Sequence, residues 1–155
     1  MDDDHLARLR ELYHGRYWGL VGIETVAAEP GLVTNRVVLR EEHLNYNLVV
    51  HGGVVSSLID SAAGGAVRTT RSPEEIALRP HATSDLHVAY LSPATGTELV
   101  AVARVVKAGR TAIFTEVDVR DDRGRTVARG MVTFVIAAGP PVPPPANGAG
   151  PVSGG

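Results

Sequence analysis

The residues VVHGGVVSSLID, at positions 49–60, combine side-chain and backbone types that could act together on a carbonyl group. A glycine pair, Gly52 and Gly53, opens an apolar run with helical spacing. The start of a helix offers backbone N–H groups without intrahelical partners and a partial positive charge, and glycine lets a ligand oxygen approach them closely. We therefore expect the pair to polarise a carbonyl, although a flexible entry to the helix would need the same two residues.

Asp60 lies inside the same apolar run, beside Leu58 and Ile59. A carboxylate in apolar surroundings loses its hydration and must be paired, hydrogen-bonded or used in chemistry. Two interpretations remain open for this acid. It is a functional carboxylate, or it caps neighbouring backbone or faces solvent from a helix that is only partly buried.

The spacing of these groups predicts a subunit interface. Asp60 follows Gly52 by eight residues, which on an α-helix is roughly 12 Å of axial rise. One chain therefore cannot bring its own Asp60 to its own Gly52. If both groups serve one carbonyl, they come from two antiparallel helices, and twofold symmetry then creates two equal sites.

The hydrophobic pattern predicts an α+β fold with one long helix. Short turns between consecutive strands imply antiparallel pairing, so we expect a mostly antiparallel sheet of about six strands to wrap that helix. We expect one domain over residues 1–138 and a Pro/Gly-rich flexible tail over 139–155. The predicted elements are a short N-terminal helix at 4–14, strands at 20–28 and 32–39, the long helix at 52–70, a loop at 71–80, and strands at 82–91, 98–107, 111–120 and 126–137.

Composition narrows the possible partners. The net charge is −2 and no Lys/Arg block occurs, so nucleic acid is not expected as a partner. Cysteine is absent, which excludes a thiolate nucleophile and Cys-ligated zinc. The acidic start of the chain and the lack of a long apolar run predict a cytoplasmic protein that does not bind membranes, and no metal-binding motif is present.

Several motifs in one order resemble a known family. They are Asn45, the run His51-Gly52-Gly53, Asp60, the run Tyr90-Leu91-Ser92-Pro93-Ala94, and the run Lys107-Ala108-Gly109-Arg110-Thr111. Together they resemble the hotdog-fold acyl-CoA thioesterases of the phenylacetic-acid-degradation type, in the 4-hydroxybenzoyl-CoA thioesterase-like superfamily, over about residues 19–136. The resemblance implies a helix wrapped by an antiparallel sheet, subunits joined edge to edge as dimers or tetramers, and no cofactor apart from the coenzyme A of the substrate.

The resemblance also implies roles for four catalytic residues. Asp60 matches the acid that acts as nucleophile or general base, and Gly52 matches the residue whose N–H polarises the thioester carbonyl. Asn45 matches an amide that orients the thioester or the attacking water. Thr83 lies where relatives often have Ser, whose hydroxyl assists the acid or the water. Strand side chains alternate between faces, so only one of Thr83 and Ser84 can point into the site.

Four residues are candidates for substrate binding. His51 and Gly53 could hydrogen-bond the substrate, although His51 at a helix entry could instead cap local backbone. Lys107 and Arg110 flank a turn and could contact the phosphates of coenzyme A, where cations and guanidinium groups are useful. Solvated turn charges are the equal alternative for that pair.

The resulting prediction is an acyl-CoA thioesterase that releases a free acid and coenzyme A, with an aryl or medium-chain acyl group. The alternative is a non-catalytic hotdog module that binds an acyl-CoA or a small ligand. A hotdog hydratase or dehydratase ranks third, because no His follows Asp60 along the helix to act with it.

Overall fold

The computed structural model describes residues 3–13 and 16–139, in which six strands form one antiparallel sheet. The strand order across the sheet is β1-β2-β4-β5-β6-β3. The strands are β1 Ile23–Glu29, β2 Leu32–Val38, β3 His81–Tyr90, β4 Glu98–Ala108, β5 Ala112–Asp121 and β6 Thr126–Ile136, and the helices are α1 Asp3–Tyr13, α2 Tyr17–Val21, α3 Gly52–Arg68 and α4 Pro73–Leu78.

The predicted fold class is confirmed, with two local corrections. The predicted strand at 20–28 begins only at Ile23, because the residues before it form the short helix α2. The predicted loop at 71–80 contains helix α4, whose start is stabilised by reciprocal hydrogen bonds between Ser72 and Glu75 around Pro73. Only Gly139 of the predicted tail is among the described residues, so the domain boundary at 138 stays a prediction.

Helix α3 packs on the sheet through an apolar face of small residues. Ala62, Ala63 and Ala66 are fully buried there, which lets the helix axis approach the strands closely. A hydrogen bond between two buried residues also joins the helix to the sheet: Asn35 Nδ2 donates to Ser61 Oγ at 3.1 Å. The position of the helix is thus set by close packing and by one buried hydrogen bond to β2.

Gly130 on β6 permits the closest of these approaches. A Cβ at this position would lie 2.5 Å from Cγ2 of Ile59, which is fully buried in α3. The glycine is therefore required by the space that the helix occupies.

Strand β3 forms one edge of the sheet. It pairs with β6 on one side only, and most of its residues are exposed. Its backbone N–H and C=O groups on the other side are available for pairing with another strand. No helix in the described part of the chain is long and apolar enough to cross a membrane.

The substitution Gly130→Ala should destabilise the protein by ~1–3 kcal/mol, because the new methyl group overpacks the contact with Ile59. Urea denaturation measures this loss in the free energy of unfolding. Gly139→Ala is the control, since a Cβ there meets no atom within 4 Å.

A double-mutant cycle with Ile59→Ala tests the cause. The loss in the double mutant should be smaller than the sum of the two single losses, because the second substitution removes the atom that clashes. Strict additivity would show that Gly130 is needed for another reason.

Candidate functional site

The start of helix α3 leaves a single unused amide at the glycine pair. His51 is the N-cap, and its Nδ1 accepts a hydrogen bond from the Gly53 N–H at 2.9 Å. A Cβ on Gly53 would lie 2.9 Å from the same Nδ1, which explains the second glycine. The first helical hydrogen bonds are donated by the N–H groups of Val54 and Val55 to the His51 carbonyl oxygen. Among the described residues no acceptor is found for the Gly52 N–H.

In this structure His51 and Gly53 contact each other. His51 caps local backbone, which is the structural alternative for this residue. His51 already accepts the hydrogen of the Gly53 amide, and a role of Gly53 in substrate binding stays a prediction. At the positive end of the helix dipole, the Gly52 N–H has no acceptor in the part of the chain that the structure describes.

Tyr90 at the end of β3 holds the Gly52 peptide in place. Its hydroxyl donates to the Gly52 carbonyl oxygen at 3.0 Å, and its ring lies 3.4 Å from the position that a Cβ on Gly52 would occupy. The residue belongs to a sequence motif noted above, but its role depends on how β3 crosses α3. Pattern and spacing alone could not reveal that crossing.

Thr83 on β3 is the hydroxyl that contacts Asp60. Its Oγ1 donates to Asp60 Oδ1 at 2.7 Å, whereas Ser84 Oγ donates away from the site to the Thr133 carbonyl at 3.1 Å. A bulge between Thr83 and Asp85 interrupts the pairing with β6 at this point. The structure therefore brings Asp60 and Thr83 together and separates Ser84 from them, as strand alternation predicts.

Asp60 lies on a partly exposed face of the helix and not in the apolar core. Its neighbours Leu58 and Ile59 are fully buried, while Asp60 borders a cavity of about 230 Å³. The half-buried helix face describes its environment, and the functional role of this carboxylate stays a prediction. A carboxylate there keeps access to water and to a ligand.

Helix α2 supplies an aromatic wall to the same cavity, which the sequence analysis missed. Tyr17 and Trp18 line it together with Ser57 and Leu86. The Tyr17 hydroxyl and Ser57 Oγ are hydrogen-bonded at 2.8 Å, which ties α2 to α3. The sequence signal was a pair of aromatic residues between the predicted helix at 4–14 and the predicted strand at 20–28.

Asn45 organises the loop that leads into α3. Its Oδ1 accepts hydrogen bonds from the Asn47 N–H at 2.9 Å and the Val49 N–H at 3.4 Å. Leu48 at the tip of this loop has a φ of 60°, a conformation that side chains rarely adopt. The side-chain oxygen of Asn45 is thus used within the loop, and its Nδ2 is the group left for a ligand.

Lys107 and Arg110 are not brought to Asp60. Both are exposed, and Arg110 lines a different cavity of about 350 Å³ together with Arg71 and Arg79. Neither cation lines the cavity beside Asp60. Within residues 3–13 and 16–139, no cluster of His, Cys, Asp and Glu could hold a metal ion.

Comparison with known proteins identifies the family. Residues 47–128 match the thioesterase superfamily. The chain belongs to this superfamily. Human acyl-coenzyme A thioesterase 13 is 34% identical over 113 residues, which cover 72% of this chain and 77% of the human protein.

Solved structures agree with the fold. A conserved protein of Pseudomonas aeruginosa, PA5202, has a TM-score of 0.75 and 30% sequence identity, covering 82% of this chain and 98% of its own. The PaaI protein of the phenylacetic acid degradation operon of E. coli has a TM-score of 0.77 at 18% identity, covering 89% of this chain and 96% of its own. The protein is therefore a hotdog-fold member of a thioester hydrolase family, as the sequence resemblance implies.

The Thr83 hydroxyl predicts a specific difference between two substitutions. Thr83→Val should lower thioesterase turnover by roughly tenfold to hundredfold, because it removes the donor that orients the Asp60 carboxylate. Thr83→Ser keeps the donor and should retain most of the turnover. Steady-state kinetics of the two variants measure the difference, and equal losses would show that the methyl group and not the hydroxyl matters.

Proposed function

We propose that the protein hydrolyses acyl-CoA thioesters at sites formed between two subunits. The observation that supports this most directly is the pairing of two prepared groups on one helix. Asp60 is held by Thr83 at the edge of a cavity, Tyr90 holds the Gly52 carbonyl, and the Gly52 N–H has no acceptor among the described residues. The name of the human relative supports coenzyme A as the thiol part of the substrate.

In the proposed reaction the thioester carbonyl oxygen accepts a hydrogen bond from the Gly52 N–H. Negative charge develops on that oxygen in the transition state, where an amide donor at a helix start stabilises it most. Asp60 either attacks the carbonyl carbon or removes a proton from the attacking water. In both cases the C–S bond breaks, the sulfur leaves with coenzyme A and takes a proton, and a water oxygen ends in the free acid.

The two groups must come from different subunits. Both lie on α3, eight residues apart, so a single carbonyl cannot reach both within one chain. Strand β3 has an open edge, and pairing with its copy about a twofold axis would continue the sheet into the second subunit. Large apolar side chains are exposed near this edge and near the start of α3, namely Tyr46, Leu48, Leu86, Tyr90, Leu91 and Met131.

The cavity beside Asp60 suits a compact apolar acyl group. Its volume of about 230 Å³ and its walls of Tyr17, Trp18 and Leu86 favour an aryl group or a medium chain. Asn45 Nδ2 would orient the thioester or the water, and Lys107 and Arg110 would meet the phosphates of coenzyme A from the second subunit or a second dimer. The proposal includes a cytoplasmic location and no cofactor besides the coenzyme A of the substrate.

Asp60→Asn should leave the fold intact and lower turnover by about 10²–10⁴-fold, because the amide can neither attack nor accept the proton. Release of free thiol from aryl- and alkyl-CoA substrates measures the loss. Asp118→Asn is the matched control, since Asp118 pairs with Arg129 on the sheet, away from this cavity. Substrate binding by the wild-type protein without thiol release would instead support the non-catalytic module.

Gly52→Pro tests the amide donor directly. Proline is tolerated at the first helical position, and His51 before it already has the extended conformation that proline requires. The variant lacks the N–H and should lose about 10²–10³-fold in turnover. Gly52→Ala keeps the N–H and should retain much more activity.

Mixing the two inactive variants tests the shared site. A hybrid of Asp60→Asn and Gly52→Pro subunits has one site with both native groups, so random mixing should restore about a quarter of wild-type turnover. The variants must be unfolded and refolded together to exchange subunits. Mixtures no more active than the separate variants would place both groups in one subunit's site and contradict the interface proposal.

A further inference from the structure

A second cavity, larger than the one beside Asp60, lies away from that residue. It has a volume of about 580 Å³ and lies between α1, the C-terminal end of α3 and α4. This volume is within the range of small-molecule sites. None of its lining residues belongs to the cavity beside Asp60.

The lining of this cavity is strongly basic. Arg8, Arg16, Arg68 and Arg71 line it, and Glu11 is the acid among the described lining residues. Arg16, Arg68 and Arg71 form no ion pair with a carboxylate in the described part of the chain. The guanidinium groups of Arg16, Arg68 and Arg71 around one space repel one another, and an anion placed among them would relieve that repulsion.

Arg71 is fixed in place at the wall of this cavity. Its Nη2 donates to the carbonyl oxygens of Glu75 at 3.2 Å and Arg79 at 2.6 Å, which holds the guanidinium in place. Its Nη1 is buried and has no acceptor among the described residues. A buried donor without a partner carries a desolvation cost, which adds to the cost of the charge repulsion at this site.

His81 lies close enough to Arg68 and Arg71 for their charges to affect its pKa. Burial is the main cause that lowers its pKa to about 4, and the positive charges of Arg68 and Arg71 lower it further. A hydrogen bond to the Gly64 backbone acts in the opposite direction. Burial is also the main cause that lowers the pKa of Arg71, while the charge of Glu75 raises it and the charges of Arg79 and Arg68 lower it.

The remaining walls are apolar. Leu9, Pro73, Ile76 and Ala77 face the same space as the arginines. An inorganic anion would leave this surface in contact with water, whereas an acid with an apolar body would cover it. The lining therefore favours a ligand with a charged head and an apolar body.

We propose that this cavity is a second binding site, which takes a small organic carboxylate with an apolar body. The carboxylate lies against Arg68 and Arg71, and the apolar part contacts Leu9 and Ile76. A free acid released by thioester hydrolysis has this chemistry. The idea that the ligand is a product of thioester hydrolysis rests on the proposed function. Binding at the cavity does not, because it requires no turnover.

Calorimetric titration of the full chain with octanoate and phenylacetate tests the site. Saturable binding is expected for these acids, with weaker binding of inorganic phosphate and none of octanol, which lacks the charge. Arg68→Gln should weaken octanoate binding by at least about tenfold, because it removes a charged donor. Arg123→Gln is the control, because this exposed turn residue lies outside the cavity.

The pKa of His81 locates the bound acid. Saturation with octanoate should raise the pKa measured by NMR, because the anion neutralises the charges of Arg68 and Arg71. An unchanged His81 pKa, equal binding of phosphate and octanoate, or equal affinity in the Arg68→Gln and Arg123→Gln variants would each overturn the proposal. A thioesterase assay run in parallel tests the proposed function separately, since its failure would leave these binding results unchanged.

Discussion

The close packing of helix α3 on the sheet is the constraint on which the site depends. Alanines along the buried face and a glycine opposite Ile59 fix the height of the helix above the strands to within one methyl group. At this height β3 can contact the helix at two places. Thr83 reaches Asp60, and Tyr90 reaches the peptide of Gly52.

Strand β3 therefore has two functions in the same ten residues. It orients both chemical groups of the helix, and it forms the open edge of the sheet. In the proposed dimer, the strand that joins the subunits is the strand that positions the acid and the amide. Disturbing the edge would then disturb the site directly, because no intervening element separates them.

Much of the fold was predictable because its signals are local. The apolar spacing of residues 54–67 indicated the long helix, and tight turns indicated the antiparallel strands. Helix α4 also has a local signal, since Ser72, Pro73 and Glu75 form a known helix-start pattern. Helix α2 was not, because five residues are too few for a periodicity to be recognised.

The site was predictable only where it depends on residue type. Asp60, Gly52 and Thr83 follow from motif and strand alternation, whereas the partners that decide their roles are distant in sequence. The contact of Tyr90 with Gly52 joins residues 38 positions apart, and Tyr17 meets Ser57 across 40 positions. The exposure of Asp60 likewise depends on which helix face the sheet covers.

The capture of the Gly53 amide by His51 has a consequence for the end of the catalytic cycle. With one amide left at the helix start, the proposed site can hold one oxygen of a ligand firmly, but not both oxygens of a carboxylate. A newly formed acid would also face the charge of Asp60. The hydrogen bond between Gly53 and His51 leaves one amide, which suits the uncharged thioester, and it thus also favours release of the charged product.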